Sequence, residues 1–145
     1  MDPLLTYRGA VYAWHCDHMG HMNVMWYVGK FDEASWNFLA SIGITPSYMR
    51  EEMRGMVAVE HKVSYKRELL AGDIVEVHSF IRDVGEKAIL FAHEMRNGQT
   101  SEVVALCEFT GVHIDRKLRK ACAFSPEMRA TAEKFLARPE ATEAA

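Results

Sequence analysis

A short stretch near the start of the chain, WHCDHMGHMN at residues 14–23, gathers one carboxylate, three histidines and a thiol around a single glycine. Asp17 is the residue type best suited to chemistry there. A carboxylate in a glycine-containing loop directly before a helix can face an electrophile held against the first free helix amides. With an ordinary pKa of about 3.9 it is ionised at neutral pH, so it can attack a carbonyl or activate water, and the residues leave both routes open. A thioester fits this equipment, because its thiolate leaves with little protonation and needs no serine triad. No G-x-S-x-G elbow occurs in the chain. The plainer reading, that Asp17 only caps a turn, is outweighed by its neighbours Gly20, His21 and Asn23. Gly20 is expected to let the backbone approach a ligand closely, and His21 to orient Asp17 or donate to a substrate. The H-C-x-H-x-x-H pattern of His15, Cys16, His18 and His21 also supplies metal-ligand types, but no compact second half of a zinc site accompanies it, and no metal is expected.

Such a loop needs a rigid element behind it, and residues 24–42 supply one. Val24, Tyr27, Val28, Phe31, Ala34, Phe38 and Ile42 recur at the three-and-four spacing of a helix face, with Trp26 and Trp36 off that stripe. Lys30, Glu33, Asn37 and Ser41 form a thin polar edge, so the helix is expected to be enclosed on several sides. Asn23 is the expected N-cap and Gly43 the expected stop. The positive end of the helix then points at Asp17 and His21, and the amides near Asn23 and Val24 form an oxyanion site. Glu33 is a candidate second acid, although a polar helix edge is more often solvated.

The remaining elements are mostly strands. Residues 4–14 read as a first strand. Val57, Val59, His61, Val63 and Tyr65 alternate with polar residues in the clearest strand, and Ala71-Gly72-Asp73 closes it. Strands follow at IVEVHSFIRDV, at 87–96 and at 100–114, with Asn97-Gly98 as a tight hairpin signal, so four consecutive strands form a meander. Ser125-Pro126-Glu127 opens a terminal helix running to about residue 138. The layout is α+β: β-α-β-β-β-β with a C-terminal helix, an antiparallel sheet wrapped around the long helix.

The chain has 145 residues, 49% hydrophobic and 26% charged, which predicts one domain over 1–145 with residues from about 139 as a frayed tail. A net charge of -3 argues against a general nucleic-acid or membrane-surface role. No apolar run approaches the roughly 20 residues that span a bilayer, and the first residues lack a signal-peptide pattern, which predicts a cytoplasmic protein. Cys16, Cys107 and Cys122 are expected to be reduced thiols. A helix so apolar needs cover beyond one sheet, which predicts at least a dimer.

Asp17, Gly20, His21, Met22, Asn23 and Tyr27 match the D-x-x-G-H-[MV]-N-x-x-x-Y pattern, and the chain thereby resembles the hotdog-fold acyl-CoA thioesterases of the 4-hydroxybenzoyl-CoA thioesterase-like family. The resemblance implies that Asp17 is the catalytic carboxylate and that amides near Asn23 and Val24 polarise the thioester carbonyl. It also implies a hotdog homodimer, or a homotetramer of paired dimers, with sites across the subunit interface. Many relatives carry a second acid two positions before the catalytic one, where this chain has His15. The substrate expected is a small or medium acyl-CoA, coenzyme A entering as part of the substrate with no separate cofactor. Lys62, Lys66, Arg67 and the 116–120 basic run are candidates for its phosphates. Trp26, Trp36 and Tyr27 are candidates for the acyl pocket, and an aromatic wall also suits a cationic acyl group such as a quaternary ammonium. A noncatalytic acyl-CoA-binding hotdog protein is the rival expectation.

Overall fold

The computed structural model describes residues 2–137. Its elements in chain order are β1 (Leu4–Ala10), α1 (Val24–Ser41), α2 (Pro46–Glu51), β2 (Arg54–Tyr65), β3 (Ile74–Val84), β4 (Ala88–Asn97), β5 (Val103–Asp115), β6 (Lys120–Ala121) and α3 (Pro126–Glu133). The strands form one antiparallel sheet of order β1-β3-β4-β5-β2, with β6 paired to β5. The sheet holds α1 against its inner face, which is the expected α+β hotdog layout.

The expected meander is corrected at one point. β2 lies beside β5 and not beside β3. Residues 66–73 carry the chain across to the other side of the helix, so that β3 starts next to β1. Hydrogen bonds Met22 N to Leu69 O, Gly72 N to Val11 O and Val11 N to Asp73 O fasten this crossing, and Gly72 supplies the positive φ of its turn. Alternation along β2 identified a strand but not its neighbour, because pairing is decided by long-range contacts. The first strand is likewise shorter than expected. It stops at Ala10, and Ala13–His15 form a 3-10 turn in which Tyr12 N–H donates to His15 Nδ1. The Asn97-Gly98 hairpin is present but longer than a two-residue turn: Asn97 N–H donates to Glu102 O, and the Asn97 side chain accepts from the Gln99 and Thr100 amides. The basic run at 116–120 turns the chain into β6. α3 begins at the expected Ser125 cap and ends at Glu133, while the expected tail from residue 139 lies outside the described residues.

Asn23 caps α1 as expected, and Gly43, with a φ of 99°, follows its end. Tyr27, Phe31, Ala34 and Phe38 pack into two cores, one with Val75, Val77 and Met95 and one with Ile81, Ile89 and Phe91. The enclosure of α1 is one-sided within the chain. Val24 remains 55% exposed, and Val28 and Trp36 are exposed as well. Lys30, placed by pattern on the polar edge, is only 3% exposed. Its long stem crosses to β1, where Nζ donates to the Tyr7 hydroxyl at 3.0 Å and the Ala10 carbonyl at 3.4 Å, and it lies over the Tyr7 ring. A partner 23 residues away is invisible to helical periodicity.

A buried hydroxyl–imidazole chain ties α1 to the sheet. Ser35 donates to Phe31 O, so His93 Nε2–H donates to Ser35 Oγ at 2.8 Å, and His93 Nδ1 accepts from Ser79, whose hydroxyl also meets Thr6 at 2.7 Å. Burial drives the His93 pKa from 6.5 down to about 3, with proximity of His61 a smaller cause. The unfolded chain therefore binds a proton between about pH 6.5 and 3 that the folded chain refuses, and stability falls as pH drops through that window, by at most roughly 1.4 kcal/mol per pH unit. Urea unfolding at pH 7, 5 and 4 should show that slope, and His93→Gln should remove this component of it while lowering stability at pH 7.

Candidate active site

The loop that carries Asp17 is closed before any ligand arrives. Asp17 N–H donates to His21 O, Gly20 N–H donates to Asp17 O, and Cys16 and Met22 form an isolated bridge. Gly20 sits at φ 87°, a left-handed backbone that favours glycine, with nothing within 4 Å of a Cβ. One oxygen of the partly buried Asp17 carboxylate accepts from Met19 N–H at 2.9 Å, and the other from Asn23 Nδ2 at 2.8 Å. The Asn23 side chain faces the other way as well: its Oδ1 accepts from Met25 N–H at 2.9 Å. That second bond fixes the amide orientation, because the atom accepting from an N–H is the oxygen and the atom facing a carboxylate is then the donor. The Asn23 bond, followed by the Met19 amide, holds the Asp17 pKa below the usual carboxylate value, with the nearby His21 and His18 adding to the effect.

These contacts reassign two expected roles. The His21 imidazole makes no hydrogen bond to the Asp17 carboxylate; its Nδ1 lies 3.3 Å from Met22 O and its Nε2 3.9 Å from Glu68. Asn23 is the orienting side chain, because its cap position puts its carboxamide between the loop and the helix. The oxyanion donors are reassigned too. Asn23 N–H is spent on His15 O at 2.9 Å, Met25 N–H on the Asn23 side chain and Trp26 N–H on Asn23 O. Among the described residues Val24 N–H alone in this first turn is left without an acceptor, at the exposed positive end of the helix dipole. His15 accepts Tyr12 N–H and packs against the Trp26 ring at 4.2 Å. Burial lowers its pKa first, and the Lys30 ammonium second, so it stays neutral and acts as a backbone acceptor.

Two hollows lie beside the first turns of this helix, and Asp17 lines neither. One, of about 320 Å³, is lined by His21, Met22, Val24, Tyr27 and residues 65–68. Tyr27 donates to Arg67 O at 3.2 Å and meets Tyr65 edge-on, so the crossing segment forms one wall. The other, of about 610 Å³, is lined by Tyr7, Tyr12, His15, Trp26, Lys30 and Glu33 among others. The candidate residues are thus divided. Tyr27 and Arg67 meet at the first hollow, and Trp26 and Glu33 lie at the second. Lys62 joins neither: it sits exposed on β2 opposite Glu108. Strand alternation placed its side chain on a polar face without telling which way that face looks. Lys66, a phosphate candidate, lines the first hollow with Arg67, and Tyr65 and Glu68 line it without having been expected there. Their signal was the abrupt end of alternation at Tyr65. Among the described residues no three His, Cys, Asp or Glu side chains converge as metal ligands.

The thioesterase-like superfamily model matches residues 11–132. A bifunctional relative, the L-carnitine dehydrogenase/betainyl-CoA thioesterase of Ruegeria pomeroyi, is 30% identical over 130 residues, which is 89% of this chain and 26% of that protein, so the chain spans about a quarter of the relative's length. A Staphylococcus aureus protein solved in complex with CoA superposes with a TM-score of 0.86 at 20% identity, covering 95% of this chain and 89% of that one. A 1,4-dihydroxy-2-naphthoyl-CoA thioesterase from Synechocystis superposes with a TM-score of 0.77 at 16% identity, covering 88% and 94%. The solved structures establish the fold as hotdog. Together with a family match that takes in the Asp17 loop, α1 and all the long strands after them, they place this chain as a member of the thioesterase-like superfamily.

Proposed function

We propose that this protein hydrolyses small or medium acyl-CoA thioesters, with Asp17 as nucleophile or general base. The observation that carries the reading is the Asn23 bridge: one side chain holds an ionised carboxylate beside a helix start whose Val24 amide is unpaired. The thioester carbonyl lies against Val24 N–H, the developing oxyanion gains that donor and the helix dipole, and the CoA thiolate departs. Either Asp17 bonds to the acyl carbon, giving an anhydride that water then opens, or it takes a proton from the attacking water. The noncatalytic alternative predicts saturable acyl-CoA binding with no thiol release.

The active form is a dimer, or two dimers as a tetramer. β2 supports this reading: its outer edge has no neighbour among the described residues, and Val57 and Val59 on it are exposed, with Val59 at 60%. Antiparallel pairing of β2 with its own copy centred on His61 would set Glu60 opposite the partner's Lys62 and Val59 opposite the partner's Val63, pairing charge with charge and apolar with apolar. Val24, Val28 and Trp36, exposed on α1, are the apolar surface such a dimer would have available to cover. The described residues contain no helix long and apolar enough to cross a membrane, and the three cysteines are unpaired, so a reducing, cytoplasmic location is part of the proposal.

The hollow at Tyr12, His15, Trp26 and Glu33 supports a second reading of the acyl group, a cationic one like the betainyl group in the Ruegeria relative's name. The Lys30 ammonium in the same wall opposes it.

Purified protein should release thiol from short acyl-CoAs, and Asp17→Asn should lower kcat by at least about 100-fold with an unchanged melting curve. Thiol release by Asp17→Asn at the wild-type rate would end the proposal. Because the ionised carboxylate is the working form, the rate falls as pH drops through the depressed Asp17 pKa. Asn23→Ser keeps a helix cap but loses the bond to Asp17, so the acid limb of the kcat/KM profile should move to higher pH. For the acyl group, betainyl-CoA is compared with its neutral isostere 3,3-dimethylbutyryl-CoA. A cationic pocket predicts a preference for betainyl-CoA that falls in Glu33→Gln, and equal preference in both proteins rejects it.

A further inference from the structure

Lys30 carries a charge that the hydrolysis above leaves without a task. The residue is 3% exposed, and it lines the 610 Å³ hollow. Its acceptors, Tyr7 Oη at 3.0 Å and Ala10 O at 3.4 Å, are both neutral, and no carboxylate lies within 4.0 Å of its ammonium among the described residues. Three protons meet two acceptors, so one N–H is left to give and the charge is uncompensated. A buried cation in that state is costly until an anion joins it.

The donors around it are also in surplus. A lysine cannot accept, so the Tyr7 oxygen takes the Lys30 bond and keeps its own O–H, which meets no acceptor among the described residues. His15 accepts Tyr12 N–H at Nδ1, which leaves the proton of its neutral ring on Nε2, again without an acceptor among the described residues. All three side chains line the same hollow. Glu33 is its one acidic lining residue, and it is exposed to solvent. At His15 the charge of Lys30 acts more strongly than that of Glu33. Arg8, the second cation of the wall, is paired with Glu76 at 3.5 Å. The hollow therefore offers buried positive charge and unused donors, the complement of an anion rich in acceptors.

The hollow also adjoins the reactive loop. His15 stands two residues before Asp17, and its carbonyl accepts Asn23 N–H. Trp26, Gly29, Lys30 and Glu33 stand at i, i+3, i+4 and i+7 of α1, so the hollow runs beside the helix from its first turn. Lys30 is six residues beyond Val24, about 9 Å along the axis, which is the reach of a chain of a few carbons. Gly29 adds room there: nothing of the chain lies within 4 Å of where its Cβ would stand, although glycine weakens a helix interior.

The geometry points to Lys30 as the residue that selects the acyl group: the hollow takes an acyl chain ending in a carboxylate, a dicarboxylic acid monothioester, held by Lys30 Nζ and the Tyr7 hydroxyl while its thioester carbonyl lies against Val24 N–H. The methylenes between the two ends rest on the Trp26 ring. The inference rests on the thioesterase reading and narrows its substrate class. Its acyl charge is opposite in sign to the betainyl one, so the two exclude each other.

CoA thioesters of ω-carboxyacyl chains of four to six carbons, each compared with the plain acyl-CoA of equal carbon number, test it on the intact protein. The ratio of the two kcat/KM values should favour the carboxylate in the wild type and fall at least about tenfold in Lys30→Met, which keeps a long unbranched stem and loses the charge. Tyr7→Phe should lower the ratio by a smaller factor. A Lys30 that only braces α1 against β1 would slow both thioesters alike, so a ratio unchanged in Lys30→Met overturns the assignment. A wild type that prefers the plain acyl group overturns it too, whether or not Lys30→Met folds. Calorimetric titration with adipate separates a bound acyl group from a free carboxylate ligand. Adipate that binds the wild type but not Lys30→Met, with the ratio unmoved, makes the hollow a site for a free acid and overturns the substrate assignment. Absence of turnover with every thioester would sink the hydrolase reading, and the ratio of binding affinities for the same pairs would then decide this one.

Discussion

One carboxamide links the chemistry to the fold. Asn23 ends the loop and begins the helix, and each of its polar groups is committed: the backbone N–H to His15, the side-chain oxygen to Met25 and the side-chain NH2 to Asp17. A helix start has more donors than acceptors, and an asparagine cap satisfies one of them while keeping two donors of its own. Here one of those donors holds the carboxylate ionised. The position of Asp17 is therefore inherited from the position of α1, and α1 is placed by the burial of Tyr27, Phe31, Ala34 and Phe38 against the sheet. A serine cap would serve the helix but has no NH2 to give the acid.

The segment from 66 to 73 does for the substrate side what Asn23 does for the acid. By accepting Met22 N–H at Leu69 and pinning Val11 on both sides of its turn, it binds the reactive loop to the sheet from above. It also carries Arg67 and Glu68 to the hollow beside Val24. The path of this crossing follows from sheet order. A β2 paired with β3 would have closed as a tight hairpin far from the helix start. Pairing β2 with β5 instead forces the connection across the helix and leaves β2 at the edge with an open ladder. A crossing wall beside the site and a free strand edge are thus two results of one topological choice.

His15 serves the loop as a neutral backbone acceptor. The position must accept the Tyr12 amide so that the 3-10 turn can close before the loop, and a neutral imidazole Nδ1 accepts as a carboxylate does. Burial beside Lys30 keeps the ring neutral. The position thus makes its hydrogen bond without bringing a negative charge near the site. The buried Lys30 ammonium and the aromatic rings of Tyr12 and Trp26 then set the electrostatics of the larger hollow.

Local patterns were enough to identify α1, its Asn23 cap, the strand content and the Asp17 loop, because these depend on neighbours within a turn or on a period of 3.6 or 2 residues. The motif around Asp17 likewise reads from adjacent residues. Tertiary structure alone decided four things: that β2 pairs with β5, that Lys30 is buried against Tyr7, that Asn23 rather than His21 holds Asp17, and that Val24 keeps a free amide. Each of these depends on groups far apart in sequence or on which of several nearby donors is already spent. A side chain's type can be read from the chain, but whether its hydrogen-bonding capacity remains available is known only after every neighbour's partner has been assigned.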